Sequence, residues 1–209
     1  MRRIDRKQSA FVVLFVLFGL PHIGAAETRN PVPEALQYLE EPDRGEWQMP
    51  KRVIETLGLR KSDVVADIGA GTGYFSRRFA PQVAHVYAED INPEALNFLR
   101  SEALSNVTIV PGKPENPMLP RNSSDVVFIC DVLHIVKDRP AFLNNIIPAL
   151  KPDGKVVIID FYRRQLPVGP PLWAKLSEEE VKEDFLKGGF KLDKQLTFLP
   201  YQYFLIFTK

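Results

Sequence analysis

The 209-residue chain has a single cysteine, Cys130, and only three histidines, which lie far apart in the sequence. A single cysteine cannot close an intramolecular disulfide, and it is too few for a cysteine-based metal site. We therefore predict no metal centre. A chain without internal disulfides is compatible with either side of a membrane, so its compartment must be inferred from other features.

The sequence also lacks an excess of charge of either sign. It has 27 basic and 26 acidic residues, for a net charge of +1. Proteins that bind nucleic acid by neutralising phosphates normally carry a clear basic excess. We therefore expect no nucleic-acid partner.

No apolar run reaches the roughly 20 residues that a membrane-spanning helix needs. The longest such run, Ala10–Leu20, follows four basic residues and precedes the small residues Gly24-Ala25-Ala26. This order is typical of a secretory signal, so residues 1–26 are predicted to be a signal peptide cleaved before Glu27. An uncleaved anchor, which would allow membrane contact, is the alternative. In either case the basic start predicts that the domain lies outside the cytoplasm: in a bacterial periplasm, or anchored to the inner membrane and facing outward. A eukaryotic secretory lumen also stays open.

The remaining length of about 180 residues suits one domain of ordinary size. Residues 27–49 are interpreted as a linker and an N-terminal lid segment, in which Tyr38, Trp47 and Gln48 are candidates to cover a bound ligand. Residues 50–209 are interpreted as the folded domain.

Short apolar runs alternate with helical patterns along the domain, which predicts an α/β fold. The predicted strands are Val64–Ile68, Val83–Ala88, Val107–Val110, Val126–Cys130, Lys155–Asp160, Lys191–Leu199 and Gln202–Thr208. The predicted helices are Pro50–Leu57, Tyr74–Phe79, Pro93–Leu104, Ala141–Leu150 and Ser177–Lys187. Such alternation favours a mostly parallel sheet with helices on both faces. The last two strands are too close for a crossover and must form an antiparallel hairpin.

A glycine-rich loop at residues 69–73, Gly-Ala-Gly-Thr-Gly, follows the first strand and opens a helix. Glycines at such a turn let the backbone approach a ligand closely. Asp67, just before the loop, would repel a pyrophosphate and suits an ammonium group instead. Asp90 ends the second strand, where a carboxylate can accept hydrogen bonds from both hydroxyls of a ribose. The loop is not followed by the Lys-Ser or Lys-Thr of a phosphate-binding P-loop.

These features imply a ligand with an amino-acid end, a ribose and an adenine. Four segments, in this order, resemble the signature segments of class I S-adenosylmethionine-dependent methyltransferases: VVADIGAGTGYF, VYAEDINPEAL, SSDVVFICDVLHIV and LKPDGKVVIIDFYRR. The resemblance extends from about Trp47 to the C-terminus. It implies a Rossmann-like sheet of seven strands with an antiparallel last strand. It also implies methyl transfer from S-adenosylmethionine to a small-molecule or lipid acceptor.

The resemblance further implies which residues hold the cofactor. Asp67 and the loop backbone would contact the methionine part, Asp90 the ribose and Ile91 the adenine. Cys130 and Asp131 would lie beside the methyl group. Gly112–Asn116 stands where many members have Gly-Asp-Ala, so Glu115 or Asn116 is the candidate for the adenine amino group. The expected cofactor-binding set is Asp67, Gly69, Ala70, Gly71, Gly73, Asp90, Ile91, Glu115, Asn116, Cys130 and Asp131.

Asp131 and His134 follow the fourth strand, at the edge where open parallel sheets bind their ligands. They share a face if that stretch is helical, because they are three residues apart. His134 is a candidate general base, and Asp131 would orient it or face the sulfonium of the cofactor. The alternative is that His134 caps the next helix or packs against it.

Two other functions stay open from the residues alone. A nicotinamide-dependent oxidoreductase shares the strand, the glycine loop and the ribose carboxylate, but Asp67 and the C-terminal hairpin argue against it. A non-catalytic methyltransferase-like binding module is the other alternative. The predicted export favours this module, because S-adenosylmethionine is made in the cytoplasm. The sequence does not predict the oligomeric state.

Overall fold

The computed structural model describes residues 31–209, so the predicted signal peptide lies outside the described residues. A seven-stranded sheet forms the centre of this part of the chain. Its strands are β1 Val64–Ile68, β2 His85–Asp90, β3 Val107–Pro111, β4 Ser124–Cys130, β5 Leu150–Phe161, β6 Lys191–Leu196 and β7 Gln202–Thr208. The α-helices are α1 Arg44–Gln48, α2 Pro50–Leu57, α3 Ser76–Phe79, α4 Pro93–Ser101, α5 Arg139–Ile146 and α6 Glu178–Lys187.

The strand order is β3-β2-β1-β4-β5-β7-β6. All neighbouring pairs from β3 to β5 are parallel, and β7 lies antiparallel between β5 and β6. From β1 the chain builds the sheet first toward β3 and then, from β4, in the other direction. Open α/β sheets bind ligands at such a switch point, beside the carboxyl ends of the strands.

Helices cover both faces of the sheet because the inner strands β1, β4, β5 and β7 are largely apolar on both sides. On one face, Val53 of α2 and Phe79 pack with Phe128 of β4. On the other face, Phe142 of α5 and Phe185 of α6 pack with the inner strands, and the Phe185 and Phe207 rings stack at 4.4 Å. The predicted Rossmann-like α/β class, with a mostly parallel sheet of seven strands, is confirmed.

Several predicted boundaries were displaced. The helix expected from Tyr74 begins at Ser76, because the glycine loop continues as a turn through Phe75. The helix expected to begin at Ala141 begins at Arg139, because the Asp138 side chain accepts a hydrogen bond from the Ala141 amide. The hairpin strand expected to reach Leu199 ends at Leu196. Helix ends depend on caps that apolar periodicity does not show.

Two predicted helix bounds agree with the structure: α2 ends at Leu57, and Ser177 is the N-cap of α6. Gly58 closes α2 in the left-handed region, with φ of 59°. Ser177 and Glu180 form a reciprocal capping box at the start of α6. Within residues 31–209, no helix is both long and apolar enough to span a membrane.

Candidate active site

Two cavities lie at the carboxyl edge of the sheet, on either side of the glycine loop. The first has a volume of about 380 Å³ and is bounded by Asp67, Asp131 and aromatic side chains. The second has a volume of about 430 Å³ and is bounded by Glu89, Asp90 and Ile91. The residues that line both cavities are Tyr38, Leu39, Gly69, Gly71, Asp131 and His134. The arrangement suits one elongated ligand that crosses the loop from one cavity to the other.

The glycine loop has three residues in the left-handed region, Gly69, Gly71 and Gly73, with φ of 68°, 56° and 83°. Gly69 and Gly71 line both cavities, and Ala70 lines the first. Gly73 lines neither, contrary to its expected place in the cofactor site. A Cβ on Gly73 would lie 2.3 Å from the Leu99 side chain, so this glycine permits close packing of α4 instead. Close helix packing is the usual role of the third glycine in such loops.

Asp67 ends β1 beside the first cavity and is almost fully buried. Its carboxylate accepts a hydrogen bond of 2.6 Å from the Ser76 hydroxyl. Burial raises the pKa of Asp67 to about 7, and this hydrogen bond only partly offsets the effect. A cationic ligand group beside Asp67 would favour its ionised form.

Asp90 and Ile91 line the second cavity, as expected for a ribose and an adenine. The Asp90 carboxylate accepts hydrogen bonds from the amides of Gly71, at 2.7 Å, and Asn92, at 2.8 Å. These contacts fix the carboxylate against the loop. Ile91 is 56% exposed, which leaves its side chain free to cover a flat ring.

Glu89 is a buried acid of the second cavity that sequence reasoning missed. It accepts a hydrogen bond of 3.3 Å from the Gly69 amide, and burial raises its pKa to about 8. A Cβ on Gly112 would lie 1.5 Å from the Glu89 carboxylate, so Gly112 leaves the space that this side chain occupies. The signal was present in the sequence, since Glu89 is the neighbour of Asp90 at the end of β2.

The structure does not bring Glu115 and Asn116 to either cavity. Lys113 and Pro114 line the second cavity instead. Lys113 and Asn116 pair through their backbones, and the Asn116 side chain accepts from the Met118 amide. This short turn uses the Asn116 side chain locally, which is why it is not available for an adenine.

Asp131 directly follows β4 and has a left-handed backbone, with φ of 60°. Such a conformation is costly outside glycine and is typically retained at functional sites. The Asp131 carboxylate accepts hydrogen bonds from the side-chain amides of Gln48, at 3.0 Å, and Gln202. The Arg44 guanidinium lies 3.8 Å away. Burial and the Asp160 charge raise the pKa of Asp131 to about 6, while Arg44 lowers it in part.

Cys130 is buried beside this cluster and lines the first cavity. Its sulfur accepts a hydrogen bond of 3.0 Å from the Gln48 amide. Burial and the neighbouring Asp131 charge raise the pKa of the Cys130 thiol well above its ordinary value. Cys130 is therefore a poor nucleophile, because the thiolate is the reactive form.

His134 is oriented by Asp160 and not by Asp131, which corrects the expected pairing. The imidazole Nδ1 lies 3.0 and 3.1 Å from the two carboxylate oxygens of Asp160, the residue that ends the buried part of β5. The pairing with Asp131 fails because the left-handed turn at Asp131 breaks the helical spacing, and only Leu133–Ile135 forms a 3-10 turn. Burial alone would lower the His134 pKa, but the hydrogen bond and charge of Asp160 raise it overall.

The lid segment, defined here as residues 34–49, closes the top of both cavities. A Cβ on Gly71 would lie 3.0 Å from the Leu39 side chain, so the lid rests directly on the loop. The Glu40 carboxylate accepts from the Thr72 hydroxyl at 2.6 Å and pairs with Arg77. Tyr38 and Trp47 line the cavities as expected, whereas Gln48 is fully buried beneath them.

Three functional residues that the sequence analysis did not single out are Arg44, Asp160 and Gln202. Asp160 could have been found, since it ends an apolar strand at the ligand edge. Gln202 begins the antiparallel strand β7 and pairs with Phe161, so it reaches the same edge from the opposite chain direction. Arg44 carries no sequence signal, because only the fold of the lid brings it over the Tyr74 ring, at 4.0 Å.

Comparison with known proteins agrees with this geometry. Residues 66–158 match the family model described as a methyltransferase domain. The chain is 34% identical over 131 residues to the ubiquinone/menaquinone biosynthesis C-methyltransferase UbiE of Ectopseudomonas mendocina, covering 59% of this chain and 50% of that protein. It is 28% identical over 126 residues to phosphoethanolamine N-methyltransferase 1 of Arabidopsis thaliana, covering 57% of this chain and 25% of that protein. This chain spans about half the length of the first curated relatives that it matches.

The crystal structure of an S-adenosylmethionine-dependent methyltransferase from Aquifex aeolicus superposes with a TM-score of 0.79. The two chains are 25% identical, and the match covers 85% of this chain and 98% of that one. At 85% of this chain, the structural similarity extends beyond residues 66–158, which the family model matches.

The residues present fit S-adenosylmethionine. Asp67 and Asp131 are buried acids beside the first cavity, and a cationic ligand group would favour their ionised forms; the ligand carries an ammonium and a sulfonium. Among residues 31–209, the Trp47 Nε1 and Tyr74 hydroxyl are buried donors without a hydrogen-bond partner. Beside Arg44 they suit the carboxylate of the methionine part. No group of three or more potential ligands in the described range could hold a metal ion. The fold is that of S-adenosylmethionine-dependent methyltransferases, and the residues of the site fit S-adenosylmethionine as the cofactor.

Proposed function

We propose that this protein transfers a methyl group from S-adenosylmethionine to a small-molecule or lipid acceptor. The observation that carries the proposal is the pair of cavities that meet across Gly69 and Gly71, with Asp131 and His134 lining both. The second cavity suits the adenosine. The first has room for the methionine part and for an acceptor beside it.

The chain's own residues would mainly position and enclose the reactants. When bound, S-adenosylmethionine supplies a methyl group on a positively charged sulfur that leaves as a neutral thioether. Asp67 would hold the ammonium group, and Asp131 would face the sulfonium side. The lid, fastened through Glu40 and Gln48, would exclude water. Alignment and exclusion of water account for much of the rate of such displacements.

The attacked atom is left open by the relatives, whose names include a C-methyltransferase and an N-methyltransferase. Relatives of both kinds match over similar lengths, 131 and 126 residues, at 34% and 28% identity. The relatives therefore support methyl transfer but do not determine the atom that receives the methyl group.

The proposal is tested by calorimetric titration of the full chain with S-adenosylhomocysteine, with NAD as control. We expect micromolar binding of the first and none of the second. Affinity should rise about tenfold between pH 6 and pH 8, because Asp67, with a pKa of about 7, must ionise to pair with the ligand ammonium. Preference for NAD would establish an oxidoreductase. Binding of neither ligand would favour the non-catalytic module.

We further propose that the domain acts outside the cytoplasm, on the pattern of residues 1–26. N-terminal sequencing of the protein purified from its native host is expected to begin near Glu27. An intact Met1 would contradict cleavage, and membrane fractionation would then test the anchor. We propose no nucleic-acid partner, since the net charge is only +1.

A further inference from the structure

His134 and Asp160 form a buried pair whose geometry is that of a proton acceptor. The Asp160 side chain is 1% exposed and also accepts hydrogen bonds from the backbone amides of His134, at 3.3 Å, and Phe161, at 2.8 Å. Three donors therefore fix this carboxylate. Because the Asp160 carboxylate accepts a hydrogen bond from Nδ1–H, the neutral imidazole carries its lone pair on Nε2.

The Nε2 side of the pair is the one available to a ligand. His134 lines both cavities, and its Nε2 has no hydrogen-bond partner among residues 31–209. The charged groups around the imidazole are Asp160 on β5 and Asp131 after β4. The Arg44 guanidinium of the lid lies 3.8 Å from the Asp131 carboxylate. Both carboxylates favour a proton on His134.

Aromatic side chains dominate the apolar wall of the first cavity. They are Tyr38, Trp47, Tyr74, Phe75 and Phe161. The Trp47 and Phe161 rings contact each other at 5.6 Å. Such a wall suits a flat acceptor, which would stack on these rings.

We propose that the acceptor is an aromatic hydroxyl compound and that His134, oriented by Asp160, removes its proton. This inference rests on the proposed methyl transfer. A base is needed only where the nucleophile starts protonated, and a phenol, with a pKa of about 10, is protonated at neutral pH. An aromatic amine is neutral at this pH and already has its lone pair, so it would not need the His134–Asp160 pair.

The step balances without a further reactant. The hydroxyl O–H bond breaks, its proton joins His134 Nε2, and the electron pair stays on oxygen. The new C–O bond forms as the C–S bond of S-adenosylmethionine breaks, with its pair going to sulfur. The imidazolium then returns its proton to water. His134 is thus the catalytic residue, and Asp160 is a positioning residue that acts through it.

The test uses 4-nitrophenol as a chromophoric probe, bound to the full chain with S-adenosylhomocysteine present. We expect the phenolate absorption band of the bound probe to appear at least one pH unit below that of the free probe, because its proton passes to His134. His134→Gln should abolish this displacement, and Asp160→Asn should reduce it. His85→Gln is the matched control, since His85 lies on β2 and bonds to Thr108.

Binding of 4-nitroanisole, which has the same ring without a proton, should be equal in all these proteins. A phenolate band unchanged in His134→Gln would overturn the role of His134. Binding of 4-nitroaniline in preference to 4-nitrophenol would overturn the acceptor class. If the unmodified chain does not bind S-adenosylhomocysteine, the proposed function itself is refuted.

A second measurement distinguishes a loss of His134 positioning in Asp160→Asn from a folding defect of that variant. With only three histidines in the chain, the imidazole signals can be followed individually by NMR. His134 should titrate above its ordinary pKa in the unmodified protein and lower in Asp160→Asn. An identical titration in both proteins would contradict the positioning role.

Discussion

Replacing Asp67 by Asn is expected to weaken binding of S-adenosylmethionine by roughly 10- to 100-fold and, at the same time, to stabilise the ligand-free protein at pH 8. The affinity falls because a charge-assisted hydrogen bond to the ligand ammonium, of about 1.5–3 kcal/mol, is lost. The stability rises because the buried carboxylate, with its pKa raised to about 7, is costly to ionise in the folded state.

The sign of the stability change follows from proton linkage. A carboxyl whose folded pKa is raised stabilises the fold fully below its unfolded pKa of about 4, and this contribution is lost as the pH rises through about 7. The loss amounts to roughly 4 kcal/mol at most. Urea unfolding at pH 8 should therefore show Asp67→Asn as the more stable protein, with the difference shrinking toward pH 4.

Asp125→Asn is the matched control. Asp125 accepts hydrogen bonds from the Val64 amide and from Lys151 at the opposite end of the sheet, and these partners lower its pKa despite partial burial. Its replacement should lower stability and leave cofactor affinity unchanged. Equal cofactor affinity of Asp67→Asn and the unmodified protein would refute the assignment of Asp67.

Replacing Gln48 by Leu is expected to release the lid. Gln48 is fully buried, and its amide donates to the carboxylate of Asp131 and the sulfur of Cys130. A leucine would leave Asp131 buried with fewer donors, at a cost of about 1–3 kcal/mol. We expect faster amide exchange in residues 34–48 and about tenfold weaker binding of S-adenosylhomocysteine, measured by hydrogen-exchange mass spectrometry and calorimetry.

Gln195→Leu provides the comparison for this prediction. Gln195 is exposed on β6, which is an edge strand of the sheet. Its replacement should therefore change the free energy of unfolding by no more than about 0.5 kcal/mol. Unchanged amide exchange of the lid in Gln48→Leu would show that the Leu39 and Glu40 contacts with the loop suffice to hold it.

Most of the fold was predictable from the sequence because its signals are local. An apolar run before the glycine loop marked β1, and another after Pro200-Tyr201 marked β7, both at their observed bounds. The last predicted helix begins at Ser177, which is the observed N-cap of α6. The positions of Asp67 and Asp90 beside the cavities were likewise predictable, because both lie at the carboxyl ends of parallel strands, where open α/β sheets bind ligands.

The partners of the site were not predictable in the same way. Asp131 and His134 are three residues apart, yet a left-handed residue separates them, and His134 pairs with Asp160, which lies 26 positions along the chain. Glu115 and Asn116 stood at the right place in the order of segments, but a local turn used the Asn116 side chain. Spacing in sequence does not report such backbone reversals.

By itself, the sequence determined the α/β class, the glycine loop and the acids at the ends of β1 and β2, because strand periodicity and glycine conformation are properties of neighbouring residues. Only the tertiary structure decided that Asp160 orients His134, that Gln48 and Gln202 hold Asp131, and that Arg44 enters the first cavity. These contacts join the lid, β4, β5 and β7. They exist because the parallel strands and the antiparallel β7 bring distant parts of the chain to one edge of the sheet.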